Sequence, residues 1–268
     1  MLLLQRDQTG KGASRESMTM YRWALMRAEP VRWFTPEEML LGLVDVKTED
    51  LVVGSVECLT VALRQLGAHV PEPDYYPESL RPHLHREVCK RTVREVRQRL
   101  VDGETLFVKS HAWKRLTGCV LSPSDTDKLD ELYQGEQLWV SEPVKFVAEW
   151  RMYALGGIVQ GVSQYGEVED IKPGPRELDL MTDGLARLRQ EQPRCAYVLD
   201  WGLLSDGTLA LVEVGDAWAV GCYAGIPAHR YAECLQARWR EIVQARTDLA
   251  GAHGVCLPLM RDDQGSLE

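Results

Sequence analysis

Most of the charged residues that could act together in a reaction fall in two predicted hairpins. Asp206-Gly207 is a strong short-range turn signal, and strands are predicted on either side of it, from Tyr197 to Leu204 and from Leu209 to Val214. A two-residue loop there sets Asp200 directly opposite Glu213. Two carboxylates facing each other across adjacent strands repel, and more strongly beside apolar neighbours such as Leu199, Leu203, Leu211 and Val212. Something positive is expected between them. A divalent ion held through oxygen is one solution, with Asp216 as a third carboxylate where the strand ends. A shared proton, or a lysine or arginine from elsewhere in the chain, would serve as well.

A second hairpin is expected from Val147 to Leu155, Gly156-Gly157, and Ile158 to Gln164. Its first strand alternates strictly, with Ala148, Trp150, Met152 and Ala154 on one side and Glu149, Arg151 and Tyr153 on the other. Glu149 and Arg151 therefore share a polar face. An arginine in mid-strand with a carboxylate two residues away suits a phosphate or carboxylate oxygen that gains charge in a reaction, or simply forms a surface ion pair. Lys109 ends a predicted strand, Leu106-Phe107-Val108-Lys109. Lys114 sits in the loop that follows, and together the two lysines could clamp a phosphate. The segment Val140-Ser141-Glu142-Pro143 could offer edge amides to a planar base and a carboxylate to a ribose, or serve only as an edge strand leading into the hairpin.

Other patterns carry less. Gln8-Thr9-Gly10-Lys11-Gly12 lacks the earlier glycine and the Ser or Thr of a nucleotide-binding phosphate loop, and reads as a turn between a first strand and a helix near residues 14–28. His83-Leu84-His85 has no matching pair at a metal-ligand spacing. The 7 cysteines are scattered without a Cys-x-x-Cys pair, which fits free thiols in a reducing compartment.

The elements that must position these residues follow from pattern. Leu51-Val52-Val53 reads as a buried strand, Gly54-Ser55 opens a helix, and Gly67 closes it. Pro71, Pro73 and Pro77 mark an extended surface segment. A helix is predicted over 84–100, with Leu84, Val88, Val93, Val96 and Leu100 on its apolar face. Its other face would carry Arg86, Lys90, Arg91, Arg94, Arg97 and Arg99, either solvated or facing an acidic ligand. After Asp102-Gly103 short strands take over, with helices near 177–190 and 228–246, so a domain break is placed near residue 102. The chain has 268 residues and a net charge of −9, which argues against nucleic acid as the default partner. Its apolar runs fall short of a membrane span, and a cytoplasmic location is expected.

Taken in order, these features resemble the ATP-grasp superfamily, and within it the clade named for two arginines and one lysine. The resemblance rests on Val53-Gly54-Ser55, Asp74-Tyr75-Tyr76-Pro77, Phe107-Val108-Lys109, Val140-Ser141-Glu142-Pro143, Glu149-Trp150-Arg151, Val198-Leu199-Asp200 and Glu213-Val214-Gly215-Asp216. It implies an ATP-grasp fold of mixed α+β and α/β character. Two α+β lobes (103–268) would enclose the nucleotide, preceded by a small N-terminal α/β domain (1–102). ATP and Mg²⁺ are the implied cofactors. Lys109, Lys114, Val140, Ser141, Glu142 and Glu149 would contact the nucleotide, and Asp200, Glu213 and Asp216 the metal. Lys114 would close over the phosphates and Arg151 would steady the transferred phosphoryl group. The family commonly shows Glu-x-Asn at its last metal site; here Gly215 stands in the asparagine position and Asp216 follows one residue later. The implied reaction is ligation of a small-molecule or peptide carboxylate to an amine through an acylphosphate. A nucleotide-binding module without ligase chemistry, or a phosphotransferase on the same site, are the alternatives.

Overall fold

The computed structural model describes residues 1–112, 115–166 and 171–252. Three apolar runs, β1 (Leu2–Gln5), β2 (Val31–Phe34) and β3 (Leu51–Val53), form a parallel sheet in the order β2-β1-β3, with α1 (Arg15–Arg27), the short α2 (Pro36–Leu40) and α3 (Val56–Gln65) as its connections. The local chemistry is as the sequence predicts. Ser14 and Ser55 cap α1 and α3 by accepting from Ser17 N and Cys58 N, and Gly67 takes the left-handed conformation (φ 65°) just past α3. Residues 7–12 form a tight polar turn closed by Asp7 N donating to Gly12 O.

The predicted helix over 84–100 is helical only in its second half, and a turn and a strand precede it. Glu78–His83 is a 3₁₀ turn, His85 stands at φ 48°, β4 (Cys89–Thr92) is a strand, and only α4 (Val93–Val101) is helical. Thr92 and Glu95 form a capping box that starts the helix at Val93, while Cys89–Thr92 are drawn straight by pairing with β7 (Gln137–Ser141). The apolar stripe is shared between two cores, because Leu84 and Val88 pack with Tyr76 and Trp139 whereas Val93, Val96 and Leu100 pack with Leu106 and Val108. Helical spacing over five residues is equally satisfied by a turn followed by a strand, and pairing to β7 decides between them. The expected basic face accordingly disperses: Arg86 turns inward, Lys90 lies 4.7 Å above the Trp139 ring, Arg97 pairs with Asp130 and Arg99 with Glu104.

β4 joins β5 (Leu106–Ser110), β6 (Cys119–Leu121) and β7 in an antiparallel sheet of order β4-β7-β5-β6, backed by α4. Residue 102 is the C-cap of α4, so β4 and α4 on one side of it share a sheet and a core with β5, β6 and β7 on the other. β7 is an inner strand, and Val140 is paired on both sides, to Cys89 and to Val108. It is not the free edge that the segment suggested.

The two predicted hairpins form the third sheet, of order β11-β10-β8-β9: β8 (Phe146–Leu155) with β9 (Ile158–Tyr165), and β10 (Ala196–Leu204) with β11 (Leu209–Asp216). Gly156 and Gly157, at φ 58° and 85°, make the two-residue turn that suits a twisted hairpin. The alternation of β8 holds, with Ala148, Trp150, Met152 and Ala154 buried under α5 (Pro175–Glu191) and Glu149 and Arg151 on the opposite face. α6 (Ala228–Ala252) packs on α1 and on the third sheet, joining the N-terminal sheet to the hairpins in one core. No helix among the described residues is long and apolar enough to cross a membrane.

Asp200 does face Glu213, but by a route the turn signal does not contain. Leu204 N donates to Thr208 O and Gly207 N to Leu204 O, so the loop has three residues, Ser205 to Gly207. Leu203 then faces Leu209 and Trp201 faces Leu211, one residue out of the register that a two-residue loop would set. A bulge at Val212 adds the missing residue and restores Asp200 to Glu213.

Candidate active site

Between the second and third sheets lies a cleft of about 930 Å³, with Phe107 and Lys109 of β5 on one wall and Glu149, Arg151, Asp200 and Glu213 of the hairpins on the other. The charges pair off, one pair within the hairpin wall and one across the cleft. Arg151 grips Asp200 as a two-pronged fork, Nε to Oδ1 at 2.8 Å and Nη2 to Oδ2 at 2.6 Å. Lys109 Nζ meets Glu213 Oε2 and lies 3.5 Å above the Tyr75 ring. The positive partner demanded by the facing carboxylates is therefore, in this state, one cation for each.

Burial raises the cost of every charge here and decides which are held. Asp200 is only 3% exposed. Burial opposes the charge of Arg151, yet the adjoining Asp200 carboxylate outweighs it and holds the guanidinium pKa above its usual range. Arg151 is also flanked by Tyr223 and Tyr165, whose rings stack at 5.0 Å and lie 4.8 and 5.7 Å from its guanidinium carbon. Glu149 is not engaged by Arg151. It accepts from Tyr165 Oη at 3.0 Å, and burial first, then repulsion from Asp200 and Glu213, pushes its pKa up.

The remaining expected residues fall in different places. Ser141 is buried and lines the cleft, with its hydroxyl donating to Glu142 O. Val140 points into the core of the second sheet, and the exposed Glu142 carboxylate accepts from Glu87 N. Lys114 lies outside the described residues. Asp216 lines the same cleft as Asp200 and Glu213, but its oxygens are engaged on the other side, accepting from Arg238 Nε and Nη2 at 2.8 Å each, with Arg194 adding a contact at 3.3 Å. It secures α6 to the end of β11.

As donors for a divalent cation, Asp200 and Glu213 fit the habit of Mg²⁺, which is commonly held by one or two carboxylates while substrate phosphates and water complete its shell. No group of three or more His, Cys, Asp or Glu is gathered among the described residues, so the protein forms no complete cage of its own there. Site residues that the sequence did not single out are aromatic or structural. Tyr75, Tyr165 and Tyr223 hold the cations, and Glu16 at the start of α1 accepts from Cys222 N, tying the N-terminal sheet to the cleft. Tyr75 had a signal in the Asp74-Tyr75-Tyr76-Pro77 segment; Tyr165 and Tyr223 meet only in three dimensions. A second cavity of about 440 Å³ opens at the ends of β1 and β3 and shares Val56 and Gly221 with the main cleft.

Comparison with known proteins agrees with this architecture. The chain is similar to D-cycloserine synthetase (13% identity, TM-score 0.53, covering 92% of this chain and 99% of that one). It is similar to D-alanyl-alanine synthetase A from Vibrio cholerae O1 biovar eltor (16% identity, TM-score 0.50, 92% and 97%). It also resembles a RimK domain ATP-grasp protein from Sphaerobacter thermophilus (12% identity, TM-score 0.50, 91% and 98%). At these identities the likeness establishes the ATP-grasp fold alone. No curated protein matches the sequence. The model of an ATP-grasp domain family, the second family of the clade named for two arginines and one lysine, matches residues 83–234, more than half of the chain, which therefore belongs to that clade of the ATP-grasp superfamily.

Proposed function

We propose that the protein is an ATP-dependent ligase that activates a carboxylate as an acylphosphate and joins it to an amine. The observation that carries this reading is the cleft wall of paired opposite charges, Lys109 with Glu213 and Arg151 with Asp200. Such pairs sum to no net charge. They exchange readily for a triphosphate and its metal, which bring the same charges in complementary positions. Lys109 would leave Glu213 for a phosphate oxygen, Arg151 would turn from Asp200 toward the transferred phosphoryl group, and the two freed carboxylates would hold Mg²⁺. The metal supplies neutralisation of the phosphate charge that spreads during transfer. The chain itself contributes orientation and an apolar lining: the stacked Tyr165 and Tyr223 cover Arg151, and Phe107 lines the facing wall, which would protect an acylphosphate from hydrolysis. In this reading Ser141 and the Glu142 backbone face the adenine and ribose end, and Lys114, outside the described residues, would be the second lysine on the phosphates.

We place the acceptor side at the second cavity, against the N-terminal unit. In this reading that unit ends before Tyr75, because Tyr75, Tyr76 and Leu80 pack with the third sheet and β4 and α4 with the second. Isothermal titration tests the reading. Mg·ATP should bind at least tenfold more tightly than ATP alone, and Asp200→Asn and Glu213→Gln should abolish that gain. Equal affinity with and without Mg²⁺, unchanged in both variants, removes the metal role. Incubation with ATP and pooled carboxylates and amines, read by mass spectrometry, separates an amide product from a phosphorylated one.

A further inference from the structure

The charged pair at the heart of the cleft depends on a register that the hairpin turn alone does not produce. With a loop from Ser205 to Gly207 and no bulge, Asp200 would face Val212. Glu213 would then stand opposite Leu199, on the face that packs under α5. Side chains alternate with a period of two, so one residue of slip carries Glu213 from the cleft into the apolar core. The bulge at Val212 prevents this, and it leaves backbone carbonyls on the open edge of β11 that need donors.

Arg86 supplies them. Its Nη1 donates to Leu211 O at 2.8 Å and its Nη2 to Val212 O at 2.9 Å, so one planar guanidinium spans both sides of the bulge. The arginine is itself fixed. Nη1 also donates to Leu84 O at 3.0 Å, the Tyr76 and Phe146 rings each lie 5.9 Å from its guanidinium carbon, and the preceding His85 takes a left-handed backbone that turns the chain toward β11. Tyr75 O accepts from Val214 N just beyond, so the segment from Tyr75 to Arg86 closes the same edge.

We infer that Arg86 is a positioning residue that sets the β10–β11 register and thereby places Glu213 opposite Asp200 in the cleft. Arg86 lines the same cleft, but its hydrogen bonds go to the backbone carbonyls of Leu84, Leu211 and Val212, and it acts through the backbone of Leu211 and Val212. The functional half of this inference rests on the proposed metal role of Asp200 and Glu213, whereas the register half does not.

The experiment compares wild type, Arg86→Met and Arg86→Lys by three readouts: the cross-strand nuclear Overhauser contacts of residue 200, the ratio of ATP affinities with and without Mg²⁺, and the melting temperature. Wild type should show the 200–213 contact. In Arg86→Met it should give way to 200–212, and the Mg²⁺-dependent gain should fall at least tenfold. Lysine keeps the charge but reaches one carbonyl at a time, so Arg86→Lys should show a mixture of contacts and at least a threefold loss of the gain. Retention of the 200–213 contact and of the Mg²⁺ ratio in Arg86→Met, with only the melting temperature lowered, overturns the inference. If the methionine variant does not fold, the lysine variant decides; failure of both to fold assigns Arg86 to general stability and likewise overturns it. Absence of any Mg²⁺-dependent gain in wild type defeats the proposed metal role instead, and the register contacts then decide this inference by themselves.

Discussion

Asp200→Asn isolates the pairing on which the cleft is built. Asparagine has nearly the volume of aspartate, so packing under β10 is kept and only the charge is lost. The side chains of Arg151 and Asp200 are 14% and 4% exposed, which makes this a buried pair. Removing one partner of such a pair costs about 3–5 kcal/mol, because the other charge stays behind without compensation. The rings of Tyr165 and Tyr223 still face the guanidinium and offset part of that loss, so the lower end, about 3 kcal/mol, is expected. In a chain of this size each kcal/mol moves the melting temperature by about 2–4 °C, giving a fall of roughly 6–12 °C. Scanning calorimetry at pH 7 on Asp200→Asn, Arg151→Met and the double variant completes the cycle. The double variant should lie well above the sum of the singles, with a coupling of about 2–3 kcal/mol, since it leaves no orphaned charge. A melting temperature for Asp200→Asn within about 2 °C of wild type, or strict additivity in the double variant, would refute the reasoning.

Glu149 gives a prediction in pH. Its folded pKa lies above the ordinary 4.5, so its contribution to stability is present below that value and is lost as pH rises through the raised one. Glu149→Gln should therefore gain melting temperature relative to wild type between pH 4 and 7, and a difference that is flat over that range contradicts the burial argument. Asp216→Asn tests the separation of Asp216 from the proposed metal pair. Arg194 would lose its ion pair and Arg238 would keep only Glu241, lowering stability by about 3 kcal/mol, while the Mg²⁺-dependent part of ATP affinity stays within twofold by titration. A tenfold loss of that affinity would instead restore Asp216 to the metal site.

The elements of the fold divide by how far along the chain their determinants lie. The Gly156-Gly157 turn, the helix start at Ser55 and the two faces of β8 were legible because each is decided within a few residues. A positive φ selects glycine, a hydroxyl finds an amide three residues on, and alternation has a period of two. The division of 84–100 was not legible. Leu84 and Val88 fit a helix as well as they fit a turn and a strand, and only the distant partner β7 distinguishes them. Val140 reads as an edge for the same reason, since nothing local announces that β4 will cover it.

The site divides in the same way. The strands that bear Glu149, Arg151, Asp200 and Glu213, and the shared face of Glu149 and Arg151, could be read from the hairpin patterns alone. How those charges are matched depends on contacts between distant segments. Asp200 meets Arg151 from the neighbouring strand, Glu213 meets Lys109 from another sheet, and Asp216 is claimed by Arg238 on a helix that follows. Even the facing of Asp200 and Glu213 comes from a bulge whose carbonyls are satisfied by Arg86, more than a hundred residues away. Local patterns set the direction of a side chain; the partner that neutralises it is chosen by packing between segments far apart in the chain.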